Sequence, residues 1–263
     1  MSDRPSGAGL AGETSRDAFL DGRLTLLQPK RGPRAAIDAL FLAAAIPAEA
    51  GAGQSVLEAG AGTGLVSLAL AQRIGDAQVT GIEVQGDLCR LAVESARLNG
   101  LEARVRFLEG DVTGPPERLD ALALRAEAFR HTAANPPYLT EGRARSAATA
   151  AKQRAHMADD GDLDLWVRFL TRMTAPGGTV TLIHRAEELA RLLACLDRRF
   201  GGLAVFPLFP HAGEPAHRVL VQGVKGSRAP LRLASGLVLH EVSGAYTAAA
   251  DAVLRAGEGL ALA

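Results

Sequence analysis

The sequence predicts an α/β fold: a Rossmann-like sheet of seven strands, mostly parallel, with helices on both faces and an antiparallel hairpin near the C-terminus. Three observations carry that prediction. Apolar, β-branched runs such as SVLEA (55–59) and QVTGIEV (78–84) alternate with helical patterns roughly 10–15 residues long, as in a parallel sheet with crossover helices. Glycines crowd the first strand-to-helix turn, at Gly60, Gly62 and Gly64. Two late strand-like runs, LAVFPLFP (203–210) and HRVLVQGVK (217–225), have no helix between them, so they must pair antiparallel.

Each element can be justified in turn. Residues 1–17 are polar and rich in Gly and Ser, so fraying is expected there, and residues 18–263 read as one domain. TLLQPKRGPR (25–34) is punctuated by prolines and a glycine and carries Lys30, Arg31 and Arg34. AAIDALFLAAA (35–45) has the apolar spacing of a short buried helix. After strand SVLEA, GLVSLALAQRI (64–74) is helical and QVTGIEV is a second strand. GDLCRLAVESARLNG (86–100) sets Leu88, Leu91, Ala92, Ser95 and Leu98 on one face and stops at Asn99-Gly100. VRFLEGD (105–111) is a third strand, PERLDALALRAEA (116–128) a further helix, and FRHTAA (129–134) a fourth strand. DLDLWVRFLTRM (162–173) is an amphipathic helix that turns through APGG into strand TVTLIH (179–184), and AEELARLLACLDRRF (186–200) is helical again. Beyond the hairpin, LRLASGLVLHE (231–241) is extended and YTAAADAVLRA (246–256) is a terminal helix.

Composition excludes several functions. Hydrophobic residues make up 48% and charged residues 22%, close to a soluble globular average. With 29 basic and 29 acidic residues the net charge is zero, so a polyanion partner must be met by a local patch. The N-terminus lacks the apolar stretch of a secretory signal, and the run ALFLAAAIPA (39–48) is too short to span a bilayer. Cys89 and Cys195 lie far apart, and the six histidines have no metal-binding spacing. The expectation is a cytoplasmic protein with no metal and no membrane partner, its oligomeric state open.

The chemistry gathers at the strand ends. In Gly60-Ala61-Gly62-Thr63-Gly64 the glycines let the backbone approach a ligand closely, and the following helix offers its amides. The spacing is G-x-G-x-G rather than the dinucleotide G-x-G-x-x-G, and Glu58 precedes it. That suits an adenosine-plus-amino-acid cofactor better than a pyrophosphate. Glu83 ends the second strand, where an acid takes ribose hydroxyls, and Asp111 ends the third. The fourth strand ends in Asn135-Pro136-Pro137-Tyr138. Asn135 offers an amide donor and a carbonyl acceptor, the prolines stiffen the turn, and Tyr138 supplies a ring face. The quartet suits a flat amino group held by its two hydrogens while its ring is clamped. An ordinary rigid loop is the bland alternative.

In these residues the chain resembles the class I S-adenosylmethionine-dependent methyltransferases that carry an N/D-P-P-Y/F signature and modify exocyclic amines. EAGAGTG (58–64) resembles their cofactor loop, Glu83 with the next residue Val84 their ribose acid, Asp111 with Val112 their adenine-side acid, and Asn135 to Tyr138 their amine clamp. QPKRGPRAAIDALFLAA (28–44), HRVLVQG (217–223) and the C-terminal tail are similar to the bacterial tRNA adenine-N6-methyltransferases that act beside the anticodon of a valine tRNA. On that resemblance the expected cofactor is S-adenosylmethionine, held by Asp38, Glu58, Gly60, Ala61, Gly62, Gly64, Glu83, Val84, Asp111, Val112 and Asn135. The expected partner is RNA, and tRNA above all, with Arg143, Arg145, Lys152 and Arg154 as one basic cluster and Lys30, Arg31 and Arg34 as another. Glutamine methyltransferases of release factors share NPPY and the loop and stay open as an acceptor class. A nicotinamide-dependent oxidoreductase and a non-catalytic nucleotide-binding protein are readings of other kinds.

Overall fold

The computed structural model describes residues 14–31, 34–48, 53–115, 121–137 and 163–262. It begins with an antiparallel hairpin, β1 (Thr14–Phe19) and β2 (Leu24–Pro29), followed by α1 (Ile37–Ala45). Strand β3 (Ser55–Ala59), α2 (Leu65–Arg73), β4 (Gln78–Glu83), α3 (Gly86–Leu98), β5 (Val105–Glu109) and β6 (Phe129–Ala134) alternate as the periodicity predicts. A helix over 163–173 precedes β7 (Thr174–Arg185), and a helix at Leu189–Leu196 precedes β8 (Phe200–Phe209) and β9 (Arg218–Lys225). Two short strands, β10 (Arg232–Leu233) and β11 (Leu237–Val238), and a terminal helix at Ala248–Asp251 follow. That helix continues as a wider turn through Ala256.

The seven long strands lie in the order β8-β9-β7-β6-β3-β4-β5. Pairing is parallel from β5 to β7, and β9 runs antiparallel to both β7 and β8, so the expected terminal hairpin is present. The expected count of seven grows to nine, because β10 and β11 each add a parallel pair to β8. Helices cover both faces. Phe41, Leu68, Leu70 and Ala92 from α1–α3 pack in one apolar cluster, and Val167, Leu170, Leu192 and Leu196 pack in the other.

Two expectations need correction. Residues 14–17, placed in the frayed end, form the first part of β1, whose alternating exposure is that of a half-buried strand. The hairpin is secured by side chains of α3 and of the residue that caps it. Asn99 accepts from the Thr25 amide at 2.9 Å and donates to its carbonyl at 2.7 Å, while Ser95 Oγ accepts from Leu27 N at 3.0 Å. Those bonds satisfy backbone groups that an edge strand otherwise exposes. Finally, residues 121–128, expected to be helical, are turns, and positive φ at Ala123 (51°) and Glu127 (56°) is incompatible with a helix.

Candidate active site

Register brings the predicted residues to one edge of the sheet. Ala59 at the end of β3 pairs with Ala134 on one side and Ile82 on the other, so Gly60, Asn135 and Glu83 leave the sheet at one level. Backbone bonds stitch the loops there. Ala61 N donates to Ile82 O at 2.8 Å, and Gly110 N donates to Glu83 O at 2.9 Å.

The loop after β3 needs its glycines for two separate reasons. Gly60 (φ 71°) lies so close to Trp166 that an added Cβ would sit 2.5 Å from the indole ring. At Gly64 (φ 93°) a Cβ would meet the Phe107 ring at 2.7 Å. By contrast, the space beside Gly62 is open. Thr63 is 4% exposed, and its hydroxyl has no hydrogen-bond partner among the described residues. A buried hydroxyl left that way costs stability on the order of 1–3 kcal/mol, and a ligand group beside it would recover much of that.

The two acids at the ends of β3 and β4 behave differently. Glu58 points inward, and its carboxyl accepts from Ser67 N at 3.0 Å and from Ser67 Oγ in the first turn of α2. Burial pushes its pKa up to about 8, the serine bonds oppose that, and neighbouring Glu83 adds to it. Glu83 instead bridges two loops. One oxygen accepts from Gly62 N at 2.8 Å and the other from Gln85 N at 2.9 Å. Each carboxylate oxygen has a second lone pair, so the group can accept from a ligand as well. Beside it Val84 is 57% exposed, an apolar surface next to a hydroxyl-accepting acid. Asp111 turns its Oδ1 onto Thr113, accepting from the amide at 2.9 Å and the hydroxyl at 2.7 Å, while Val112 is buried.

Across β3, Asn135 is half-buried, Pro136 is buried and Pro137 is exposed. Tyr138, Arg143, Arg145, Lys152 and Arg154 lie outside the described residues. Asp38, near the start of α1, accepts from Arg218 Nε at 2.8 Å at the entry to β9. Lys30 and Arg31 are exposed just after β2, which runs alongside α3 toward this same edge. Arg34 departs from its expected role. It is ion-paired with Asp17 and donates to Pro29 O and Ser15 Oγ, so it ties the hairpin to the chain before α1. Among the described residues no group of three or more His, Cys, Asp or Glu is placed to hold a metal.

The open loop, the orphaned Thr63 hydroxyl, the Glu83 carboxylate and the exposed Val84 fit the adenosine-plus-amino-acid cofactor expected from the sequence. Comparison with known proteins agrees. Residues 56–141, from β3 through the quartet, match the family model described as "Methyltransferase domain". A solved structure of a predicted O-methyltransferase from Agrobacterium tumefaciens superposes with a TM-score of 0.71 at 31% identity, covering 85% of this chain and 98% of that one. The chain belongs to the methyltransferase family. Two curated relatives of this methyltransferase are named tRNA1(Val) (adenine(37)-N6)-methyltransferase. The one from Aeromonas hydrophila is 27% identical over 198 residues, covering 73% of this chain and 77% of its own. The one from Actinobacillus pleuropneumoniae is 27% identical over 202 residues, covering 74% and 78%.

Sequence reasoning passed over Trp166 and Thr63. Trp166 is the chain's one tryptophan and its contact is with a glycine, which leaves no pattern in the sequence. Thr63 lies inside the glycine loop, but only burial reveals its hydroxyl as unmatched among the described residues.

Proposed function

We propose that this methyltransferase transfers a methyl group from S-adenosylmethionine to the exocyclic N6 amine of an adenine in tRNA. One observation carries the reading. Asn135, followed by two prolines, leaves the sheet one strand from the glycine loop and level with Glu83. An amine acceptor and the cofactor would therefore meet at a single edge.

When bound, S-adenosylmethionine supplies an electrophilic methyl on its sulfonium. Glu83 would hold the ribose hydroxyls, Val84, Val112 and Asp111 would serve the adenine side, and the Gly60–Gly64 loop with Thr63 would receive the amino-acid portion. Glu58 acts one step back. By holding Ser67 it fixes where α2 begins, and so where the loop ends. The Asn135 side-chain carbonyl accepts from the acceptor amine, and Tyr138 offers its ring face to the base. An adenine must leave its stack to reach them. No strong base is required, because the nitrogen becomes acidic only as it gains the methyl and positive charge. Positioning and electrostatic stabilisation make up the protein's contribution. An oxygen acceptor would need a base for its proton, and a carboxamide is not one, so the quartet favours nitrogen over the oxygen in the Agrobacterium protein's name.

The names of the relatives support tRNA as the substrate, and Lys30 and Arg31 stand at the right edge for phosphate contacts. Arg143, Arg145, Lys152 and Arg154 are proposed to extend that path, and the protein to act in the cytoplasm, where tRNA is modified. Incubating the protein with labelled S-adenosylmethionine and bulk tRNA, then analysing nucleosides by mass, tests the proposal. N6-methyladenosine is expected; an unlabelled tRNA, with the label entering a glutamine when a release factor is supplied instead, would keep Asn135 and remove the nucleobase.

A further inference from the structure

We infer that a column of three rings, His211, His240 and Tyr246, is a second nucleobase site, where an unpaired base near the target adenine stacks; this rests on the RNA acceptor proposed above. His211 follows the end of β8, and His240 and Tyr246 lie in the tail that folds back over it. The His211 and His240 ring centroids are 5.5 Å apart with planes at 38°, and those of His240 and Tyr246 are 4.7 Å apart at 25°. All three residues are half-buried.

The column is not needed to anchor the tail. Backbone bonds already do that: Leu239 N donates to Phe209 O at 2.8 Å and His240 N to Pro210 O at 3.0 Å. Tyr246 forms the inner end, beside the cleft lined by Phe19, Ile37 and Leu40. His211, partly exposed, forms the other end, with its ring next to that of His240.

Strand register places the column relative to the chemistry. Arg185 of β7 pairs with Arg218 of β9, and Arg218 pairs with Leu208 of β8, so β8 ends at the same edge as Asn135. Three inter-strand spacings separate β6 from β8, about 14 Å. RNA is read in its unpaired segments by bases stacked on His, Tyr, Phe or Trp rings, and each stacked base contributes enough to be felt in affinity. The surroundings favour a base over a phosphate. Glu214 and Glu241 stand in the two loops, and the Arg218 guanidinium is already paired with Asp38.

The test uses the full chain and an unmodified tRNA transcript, with binding followed by fluorescence anisotropy across a salt series. His211→Ala should bind about five- to tenfold more weakly at every salt concentration, with an unchanged salt slope, unchanged S-adenosylmethionine affinity and unchanged Tm. His211→Phe should stay within about twofold of the native protein, because the ring face is what stacks. Should His211→Ala unfold, His211→Gln takes its place as the ringless variant. Native-like affinity in the ringless variant, from a protein that does methylate tRNA, would overturn the platform alone. Equal weakening in His211→Phe and His211→Ala would overturn stacking as its basis. A native protein that neither binds nor methylates tRNA would remove both the platform and the function on which it rests.

Discussion

The two halves of the sheet's functional edge are built differently. From β3 to β5 the loops are short, glycine-rich and stitched by backbone bonds such as Ala61 to Ile82 and Gly110 to Glu83. From β6 to β8 the edge carries side chains instead: Asn135, the Asp38–Arg218 pair and the His211–His240–Tyr246 column. The stitched half suits a ligand that is the same in every turnover, since a rigid backbone pre-pays its ordering. The side-chain half suits an acceptor recognised by shape and ring faces. Substitutions in one half should therefore leave the other half's ligand alone.

The largest effect is expected at the boundary. Asn135→Ala should reduce single-turnover methylation by at least about a hundredfold, the scale of losing a transition-state hydrogen bond, with cofactor affinity within about twofold. Loss of cofactor binding to the same degree would erase the division. Next comes Glu83→Ala, which removes a charge-assisted acceptor and should weaken S-adenosylmethionine by about 1.5–3 kcal/mol in calorimetry. tRNA affinity should not change.

Within the stitched half, Glu58 offers a test through pH. Its folded pKa of about 8 stands above the ordinary 4.5. Between those values the native state holds a proton that the unfolded chain has lost, so stability falls as pH rises through the window and levels off above it. Denaturant unfolding should show a loss on the order of a few kcal/mol between about pH 4.5 and 8, and Glu58→Gln should remove most of that slope. An identical slope in the variant would mean that the carboxyl ionises freely inside the fold.

The smallest effects separate three neighbouring cations. Lys30→Ala with Arg31→Ala should lower the salt dependence of tRNA binding by roughly one to two units of slope. Arg34→Ala, which breaks a half-exposed pair with Asp17, should leave that slope alone and cost only about 0.2–1 kcal/mol of stability. If Arg34→Ala changes the slope as much, its guanidinium leaves Asp17 for RNA.

These contrasts also mark what could be read from the sequence. The alternation from β3 to β9 was legible because β-branched runs ended in glycines and the helices kept their period. The acids were legible as positions, since Glu58, Glu83 and Asp111 stand at strand ends, but not as directions: nothing in EAGAGTG says that Glu58 turns back to Ser67. The β1–β2 hairpin was missed because its support comes from Ser95 and Asn99, some 70 positions away. Residues 121–128 misled for the opposite reason. Leu119 and Leu122 have helical spacing, yet Leu122 and Leu124 reach the second apolar cluster from turns with positive φ at Ala123 and Glu127.

One measurement bears most directly on the central claim that Asn135 presents an adenine amine to the cofactor edge. Native protein and Asn135→Ala are each given labelled S-adenosylmethionine and tRNA in single turnover, and the nucleosides are resolved by mass. The account predicts that the native protein places the label in N6-methyladenosine and that Asn135→Ala, still binding S-adenosylmethionine, places almost none there. Label in another nucleoside, or near-native N6-methyladenosine from Asn135→Ala, would contradict it.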